Sequence, residues 1–308
     1  MSILIDADTT FIVQGITGRE AVNLTRECLD YGRGAQIVAG VTPGRKGREV
    51  HGVPVFDTVE QAVESHGGPV DGSVVTVPPA FAKDAVLEAI ENEIKLIVIV
   101  TERIPRQDVA QMVELASMRG TRIIGPNCLG VIVPEVIKMG GIGGPARDAA
   151  KAYSPGPVGV MSRSGGMTTE ISSTLTAAGL GQSTAVSIGG DAIIGSTYTE
   201  LMPLFEADGQ TEAIVIYSEP GGRMEAELAE YVSQHDEALP IVAFMAGRFM
   251  DEIPGMSFGH AGTIVEGRED TAAEKIARLE SAGIQVAEQI AEIPKLVRER
   301  LGARELAG

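Results

Sequence analysis

Short apolar runs rich in β-branched residues alternate with longer segments of helical period along the whole chain, and this rhythm admits few architectures. A strand, a crossover helix and a second strand pack most simply as parallel sheet with helices on both faces, so the chain is expected to be α/β. In the first half the strand-like runs are Phe11 to Gln14, Gln36 to Thr42, Ser73 to Val77, Leu96 to Thr101 and Arg122 to Gly125. In the second half they are Val158 to Met161, Ser183 to Ile188, Ala213 to Tyr217 and Ile241 to Met245. Between them, Ala82, Ala85, Val86, Ala89 and Ile90 recur at helical spacing, as do Val109, Met112, Val113 and Ala116, and each set marks one buried helix face. Near Pro134 the text turns glycine-rich and irregular, which predicts a domain over 1–133, a linker over 134–156 and a second domain over 157–308.

A length of 308 residues suits two such domains. The charge balance is 25 − 42 = −17 with no concentrated basic face, which disfavours binding to nucleic acid. Cys28 and Cys128 form neither a disulfide framework nor a zinc spacing. No apolar run reaches the roughly 18 residues of a membrane span, and aspartates occupy the start where a signal peptide needs basic then apolar residues. The expectation is a cytoplasmic protein that engages neither membrane nor nucleic acid.

In open parallel sheets ligands bind beyond the carboxyl ends of the strands, so the loops there carry the chemistry. The first, Gln14–Gly15–Ile16–Thr17–Gly18, offers backbone N–H groups at a helix start, yet it lacks GxGxxG and equally reads as a tight turn. The second strand runs into Arg45–Lys46–Gly47–Arg48, cations that suit NADP or coenzyme A better than NAD, or that simply face solvent. In the second half Ser162–Arg163–Ser164–Gly165–Gly166 forms another strand-to-helix turn, an anion site or a capped helix. It does not fit GxSxG, which disfavours serine hydrolysis.

Of the four histidines, His66 and His235 sit at helix ends and His51 lies in a loop. His260 differs because Gly259, Ala261 and Gly262 surround it with small residues that let another group approach. Glu219, just past a strand, is placed to orient such an imidazole. Glu225 and Glu227 fall on different sides of a helix, and no metal site is expected, any magnesium arriving with a nucleotide.

Read in order, Met1 to Asp6, Gln14 to Gly18, Gly40–Val41–Thr42–Pro43–Gly44, Gly125–Pro126–Asn127–Cys128–Leu129–Gly130, Ser162 to Gly165, Gly189–Gly190–Asp191, Thr211 to Val215 and Gly259–His260–Ala261–Gly262 resemble one family over nearly the whole chain. That family is the α subunit of succinyl-CoA synthetase and related acyl-CoA ligases. The resemblance implies an N-terminal Rossmann-like CoA-binding domain followed by a flavodoxin-like ligase domain. It implies that His260 is phosphorylated and that Glu219 orients it. It places Thr17, Gly18, Arg19, Glu20, Arg45, Val100, Thr101 and Glu102 beside CoA, and Ser162, Ser164 and Gly165 beside phosphate.

An ATP-grasp-type β subunit would bring ATP or GTP with Mg2+, and the product would be succinyl-CoA or a related dicarboxylyl-CoA. The chemistry suits these residue types: a carboxylate must become an acyl phosphate before a thiolate can displace phosphate, and histidine is able to shuttle the phosphoryl group. Several positions depart from the family pattern. Arg45 replaces a lysine, Arg103 replaces a glycine, and Thr169 replaces a tyrosine associated with the acid substrate. Pro220 and the Arg248 to Glu252 stretch differ as well. Alternatives are a ligase for malate or another substituted acid, a CoA-binding module without turnover, and an NADP-dependent reductase.

Overall fold

A computed structural model of the chain describes residues 2–34, 36–235, 237–253, 260, 262–265, 267 and 270–305. Met1, Gly259 and Ala261 of the motifs above lie outside them. The first sheet contains β1 (Thr10–Gln14), β2 (Gln36–Val41), β3 (Glu49–Val50), β4 (Val53–Phe56), β5 (Gly72–Val75), β6 (Leu96–Ile99) and β7 (Arg122–Ile124), in the order β3-β4-β2-β1-β5-β6-β7. All neighbours are parallel except β3 against β4. Helices α1 (Arg19–Leu29), α2 (Val59–His66), α3 (Pro79–Glu91) and α4 (Arg106–Arg119) make the crossovers. From β4 to β7 this is the Rossmann order, with a switch point between β1 and β5.

The second sheet holds β8 (Gly130–Val133), β9 (Ile137–Met139), β10 (Pro155–Ser162), β11 (Gln182–Ser187), β12 (Ala213–Ser218), β13 (Ile241–Met245) and β14 (Gln285–Ala287). Helices α5 (Ala146–Ala152), α6 (Gly165–Ala177), α7 (Tyr198–Ala207), α8 (Met224–Gln234), α9 (Ala272–Ser281) and α10 (Ile293–Glu305) accompany it. Its order is β14-β13-β12-β10-β11-β8-β9, and β11-β10-β12-β13-β14 repeats the flavodoxin pattern with a switch point between β10 and β12.

The expected linker is corrected by this topology. The change of sheet falls between β7 and β8, before residue 134, and 134–156 contains β9 and α5. The glycines that read as a flexible joint serve close packing instead. A Cβ on Gly130 would lie 2.0 Å from the Met139 carbonyl oxygen, so the antiparallel β8–β9 pair closes only over a bare backbone. The two sheets also share one core, in which Phe11 and Val13 join Val131, Met139, Met161 and Tyr198. Gly72 makes room there, since its Cβ would stand 2.6 Å from Met139 Cε.

The helix faces read from periodicity are buried as expected: Ala82, Ala85, Val86, Ala89 and Ile90 on α3, and Val109, Met112 and Ala116 on α4, with Val113 half-buried. Gly67 in the left-handed region (φ 77°) ends α2 after His66.

Candidate active site

At the first switch point the β1–α1 turn is built by glycine. Gly15 has φ 86°, and a Cβ there would come within 2.9 Å of Thr76 Oγ1. Gly18 starts α1 without a side-chain cap, leaving the first N–H groups of the helix unspent. The loops after β1, β2 and β5 enclose a cavity of about 890 Å³ lined by Gln14 to Gly15, Thr17 to Ala21, Val41 to Pro43, Thr76 to Pro78, Phe81, Asp84, Ala85 and Glu88. Such a volume lies within the range of roughly 300–1,000 Å³ typical of small-molecule sites. Thr17, Gly18, Arg19 and Glu20 are among the residues lining this cavity.

Arg45, Val100, Thr101 and Glu102 do not line the cavity; they flank it. Asp57 accepts hydrogen bonds from the backbone of Arg45 (3.0 Å) and Lys46 (3.1 Å), which fixes the loop while both side chains remain exposed. Thr101 Oγ1 donates to the Val77 carbonyl at 2.7 Å, fastening the β6 loop to the cavity wall. Arg103 adopts φ 60°, a left-handed conformation natural to glycine, so the loop keeps its course with a large cation in it. Phe81, 61% exposed, is an aromatic face at the cavity that spacing alone did not reveal.

The second switch point gathers the loops after β10, β11 and β12. His260 Nδ1 stands 2.7 Å from Glu219 Oε2, with the carboxylate side chain only 10% exposed. A carboxylate can only accept, so Nδ1 carries a proton, and in the neutral ring the lone pair is then on Nε2. The hydrogen bond to Glu219 raises the His260 pKa above 6.5; burial opposes it, the Glu219 charge adds to it, and Arg163 and Asp191 act in opposite senses. The ring lies flat against bare backbone: a Cβ on Gly190 would be 2.4 Å from His260 Cγ.

Arg163 is 2% exposed, and its Nη2 donates to the carbonyls of Gly190 (3.4 Å) and Asp191 (3.2 Å). Its Nε and Nη1 have no partner among the described residues. The N-terminus of α6 opens on the same loop. Ser164 caps it, its Oγ accepting from Met167 N–H at 3.5 Å, and nothing lies within 4 Å of a Cβ on Gly166. A Cβ on Gly165 would strike Leu129 Cγ at 2.3 Å, so the helix start packs tightly on one side and is open on the other.

Two of the expected hydroxyls are engaged within the fold. Ser162 is fully buried and its hydroxyl is used inside the turn, donating to the Ser164 carbonyl (2.7 Å) and accepting from the Ser164 N–H (3.1 Å). Its hydroxyl therefore closes the turn that leads into α6. Thr169 Oγ1 is 2.9 Å from the buried Tyr153 hydroxyl, turned towards α5. Glu225 and Glu227 diverge as read, Glu225 buried and Glu227 exposed. Among the described residues no group of three or more His, Cys, Asp or Glu could hold a metal. No helix among them is long and apolar enough to cross a membrane.

The described loops also join the two sites. Asn127 N–H donates to the Thr101 carbonyl (3.0 Å), Gly190 N–H donates to the Asn127 carbonyl (3.3 Å), and Asn127 Nδ2 donates to Asp191 Oδ1 (3.0 Å).

A CoA-binding domain family matches residues 6–103, and a CoA-ligase family matches residues 161–285. The chain is 44% identical over 301 residues to "Succinate--CoA ligase [ADP-forming] subunit alpha 2" of Archaeoglobus fulgidus, covering 98% of this chain and 100% of that one. It is 42% identical over 308 residues to the corresponding α subunit of Aquifex aeolicus, covering 99% and 97%. Its fold matches an ATP citrate lyase of Methanothrix soehngenii, solved with citrate and coenzyme A, with a TM-score of 0.90 at 24% identity, covering 99% of this chain and 52% of that longer one.

Proposed function

We propose, because the chain belongs to the α-subunit family of ADP-forming succinate–CoA ligases, that His260 carries a phosphoryl group from a nucleotide to an organic acid and that the first cavity presents CoA. The chain is the CoA-binding subunit of an acid–thiol ligase, and its α designation implies a partner subunit. The observation that carries the proposal is the 2.7 Å contact from His260 Nδ1 to Glu219, which fixes the ring so that Nε2 is the nitrogen turned to the chemistry.

In this reading Nε2 attacks the γ-phosphorus of ATP or GTP and the nucleoside diphosphate leaves. A carboxylate oxygen of succinate, or of a related dicarboxylic acid, then takes the phosphoryl from Nε2 and restores the imidazole. The CoA thiolate attacks the acyl carbon and expels phosphate. Glu219 holds the ring during both transfers and balances the positive charge that grows on it. The α6 amides and the buried Arg163, whose Nε and Nη1 lack partners among the described residues, fit a group with charge spread over several oxygens. Mg2+, where bound, would neutralise the nucleotide phosphates, and an ATP-grasp-type partner would hold both. The reaction belongs in the cytoplasm, where acid, nucleotide and CoA are all at hand.

For CoA, the unspent α1 amides meet phosphate, the exposed cations of Arg45 to Arg48 lie alongside, and Val100 to Glu102 form the next wall. Thr169 remains the residue of α6 assigned to the acid, acting together with Tyr153.

The test is to incubate the chain with its β-type partner and γ-labelled ATP. An acid-labile, base-stable label on this chain is expected, and its persistence in His260→Ala would overturn the reading.

A further inference from the structure

The carboxylate that orients His260 projects from a turn, and a turn does not by itself hold a side chain to a fraction of an ångström. The fixing element lies behind it, on a helix that spacing gave no reason to connect with the site. Lys275 on α9 is 2% exposed, and its Nζ donates to the Glu219 carbonyl (3.0 Å), the Gly221 carbonyl (2.5 Å) and Glu225 Oε2 (2.6 Å). An ammonium has three protons, and all three are engaged. Glu225 is wholly buried in the first turn of α8, and its other oxygen has no partner among the described residues.

A buried ion pair of this kind is a poor source of stability, because desolvating both charges offsets their attraction and an apolar pair of similar size often serves as well. What the pair does supply is direction. Two carbonyls of the 219–221 turn are drawn to one fixed point, and α8 and α9 are tied to that point. On its other side the turn is pressed against the segment that follows His260. Gly221, at φ 86°, would place a Cβ 2.3 Å from the Gly262 carbonyl oxygen and 2.9 Å from Ile264 N, and its own N–H donates to the Asp270 carbonyl at 3.0 Å. The backbone of Glu219 is thus clamped between the cation behind it and the histidine segment in front.

We propose that Lys275, seated by Glu225, is a positioning residue that sets the Glu219 carboxylate against His260 Nδ1. The inference rests on the phosphohistidine reading for its catalytic consequence, while its geometric content can be measured without turnover. Removing Lys275 alone would strand the buried Glu225 carboxylate, so the informative variant removes both charges, Lys275→Met with Glu225→Leu. The Glu219 turn then loses two hydrogen bonds and the carboxylate its registration.

Two measurements decide it. In the isolated chain the imidazoles are titrated by NMR, with His260 assigned by its loss in His260→Ala; in wild type it should titrate above the ordinary histidine value. In the paired variant it should fall to the value found in Glu219→Gln. With the partner subunit and γ-labelled ATP, the paired variant should be phosphorylated about 10- to 100-fold more slowly, as expected when a reacting group is misplaced by about an ångström. The same paired change made on a Glu219→Gln background should cost less than about threefold more, since the residue it positions is already impaired.

A wild-type titration and rate in the paired variant would overturn the proposal, as would an undiminished further loss on the Glu219→Gln background, which marks general structural damage. CoA affinity, read by calorimetry, should stay within about twofold and reports that the first sheet is intact. Should the paired variant fail to fold, Lys275→Arg decides in its place: a planar fork cannot reproduce three divergent donors, so the His260 titration should still fall. Absence of label in wild type would refute the phosphohistidine reading, whereas the NMR comparison would still judge the positioning role.

Discussion

Replacing Glu219 by glutamine separates the two services the carboxylate renders to His260. Glutamine can still accept from Nδ1–H through its amide oxygen, so the ring keeps its tautomer and much of its direction, but the negative charge is gone. At 2.7 Å, with the carboxylate 10% exposed, solvent screens little of that charge. A hydrogen bond to a charged group contributes about 1.5–3 kcal/mol and a neutral one about half as much. The difference, about 0.75–1.5 kcal/mol, corresponds to a roughly 4- to 13-fold slower phosphorylation at high pH, and Glu219→Ala, losing the whole bond, to roughly 10- to 150-fold. The pH dependence moves the other way. Nε2 attacks only when unprotonated, and the Glu219 hydrogen bond is the main cause of a His260 pKa above 6.5, so the wild-type rate climbs through a pH above that value. Without the charge the climb shifts to lower pH while the plateau drops, and the two curves approach one another on the acid side. Single-turnover transfer from γ-labelled ATP, sampled from pH 5 to 9 in the complex with the partner, measures both effects. An unchanged plateau, or a limb displaced to higher pH, would refute the reasoning.

Gly190→Ala would drive a methyl group to within 2.4 Å of the His260 ring, so phosphorylation should fall by about 100-fold or more while CoA binding, read by calorimetry, survives. Phe81→Ala removes an exposed aromatic face from the cavity; the Kd for CoA should rise by about 5- to 50-fold, with little change in Tm because the ring is 61% exposed. Cys28 and Cys128 are buried, and burial raises their thiols to about 11 and about 12, so a thiol reagent at pH 8 should modify neither until the chain is unfolded.

The parts of this molecule that were legible in its sequence are those encoded by neighbours along the chain. Alternating periods gave the α/β class, and Gly15 gave the β1–α1 turn because φ 86° admits little else. His260 stood out through the small residues around it, and Glu219 through its place at a strand end. Contacts between loops far apart in the chain left no such trace. Gly190 meets the imidazole across 70 positions, and Lys275 reaches the Glu219 turn from a helix whose buried face reads as ordinary amphipathic packing. Ser162 misled because a hydroxyl at a helix start looks the same whether it faces a ligand or closes its own turn. The glycines of 134–156 misled for a related reason, since a residue without a side chain permits both a loose joint and the closest packing of strands.

The proposed reaction needs a thiol held by one sheet to meet an acyl group formed at the other, and the fold addresses this at the junction of the two switch points. Asn127, at φ 55°, lies in the left-handed region that asparagine tolerates better than most residues. That conformation lets one residue receive Gly190 N–H on its carbonyl, donate its own N–H to Thr101, and extend its amide to Asp191. Gly195 N–H closes the same seam by donating to the Gly125 carbonyl at 2.8 Å. These bonds fasten the wall beside the first cavity to the loop on which the imidazole rests, over a core that Phe11, Met139 and Met161 share. Sheets joined in this way resist sliding, so the Gly190–Asp191 loop keeps its register against the wall beside the first cavity.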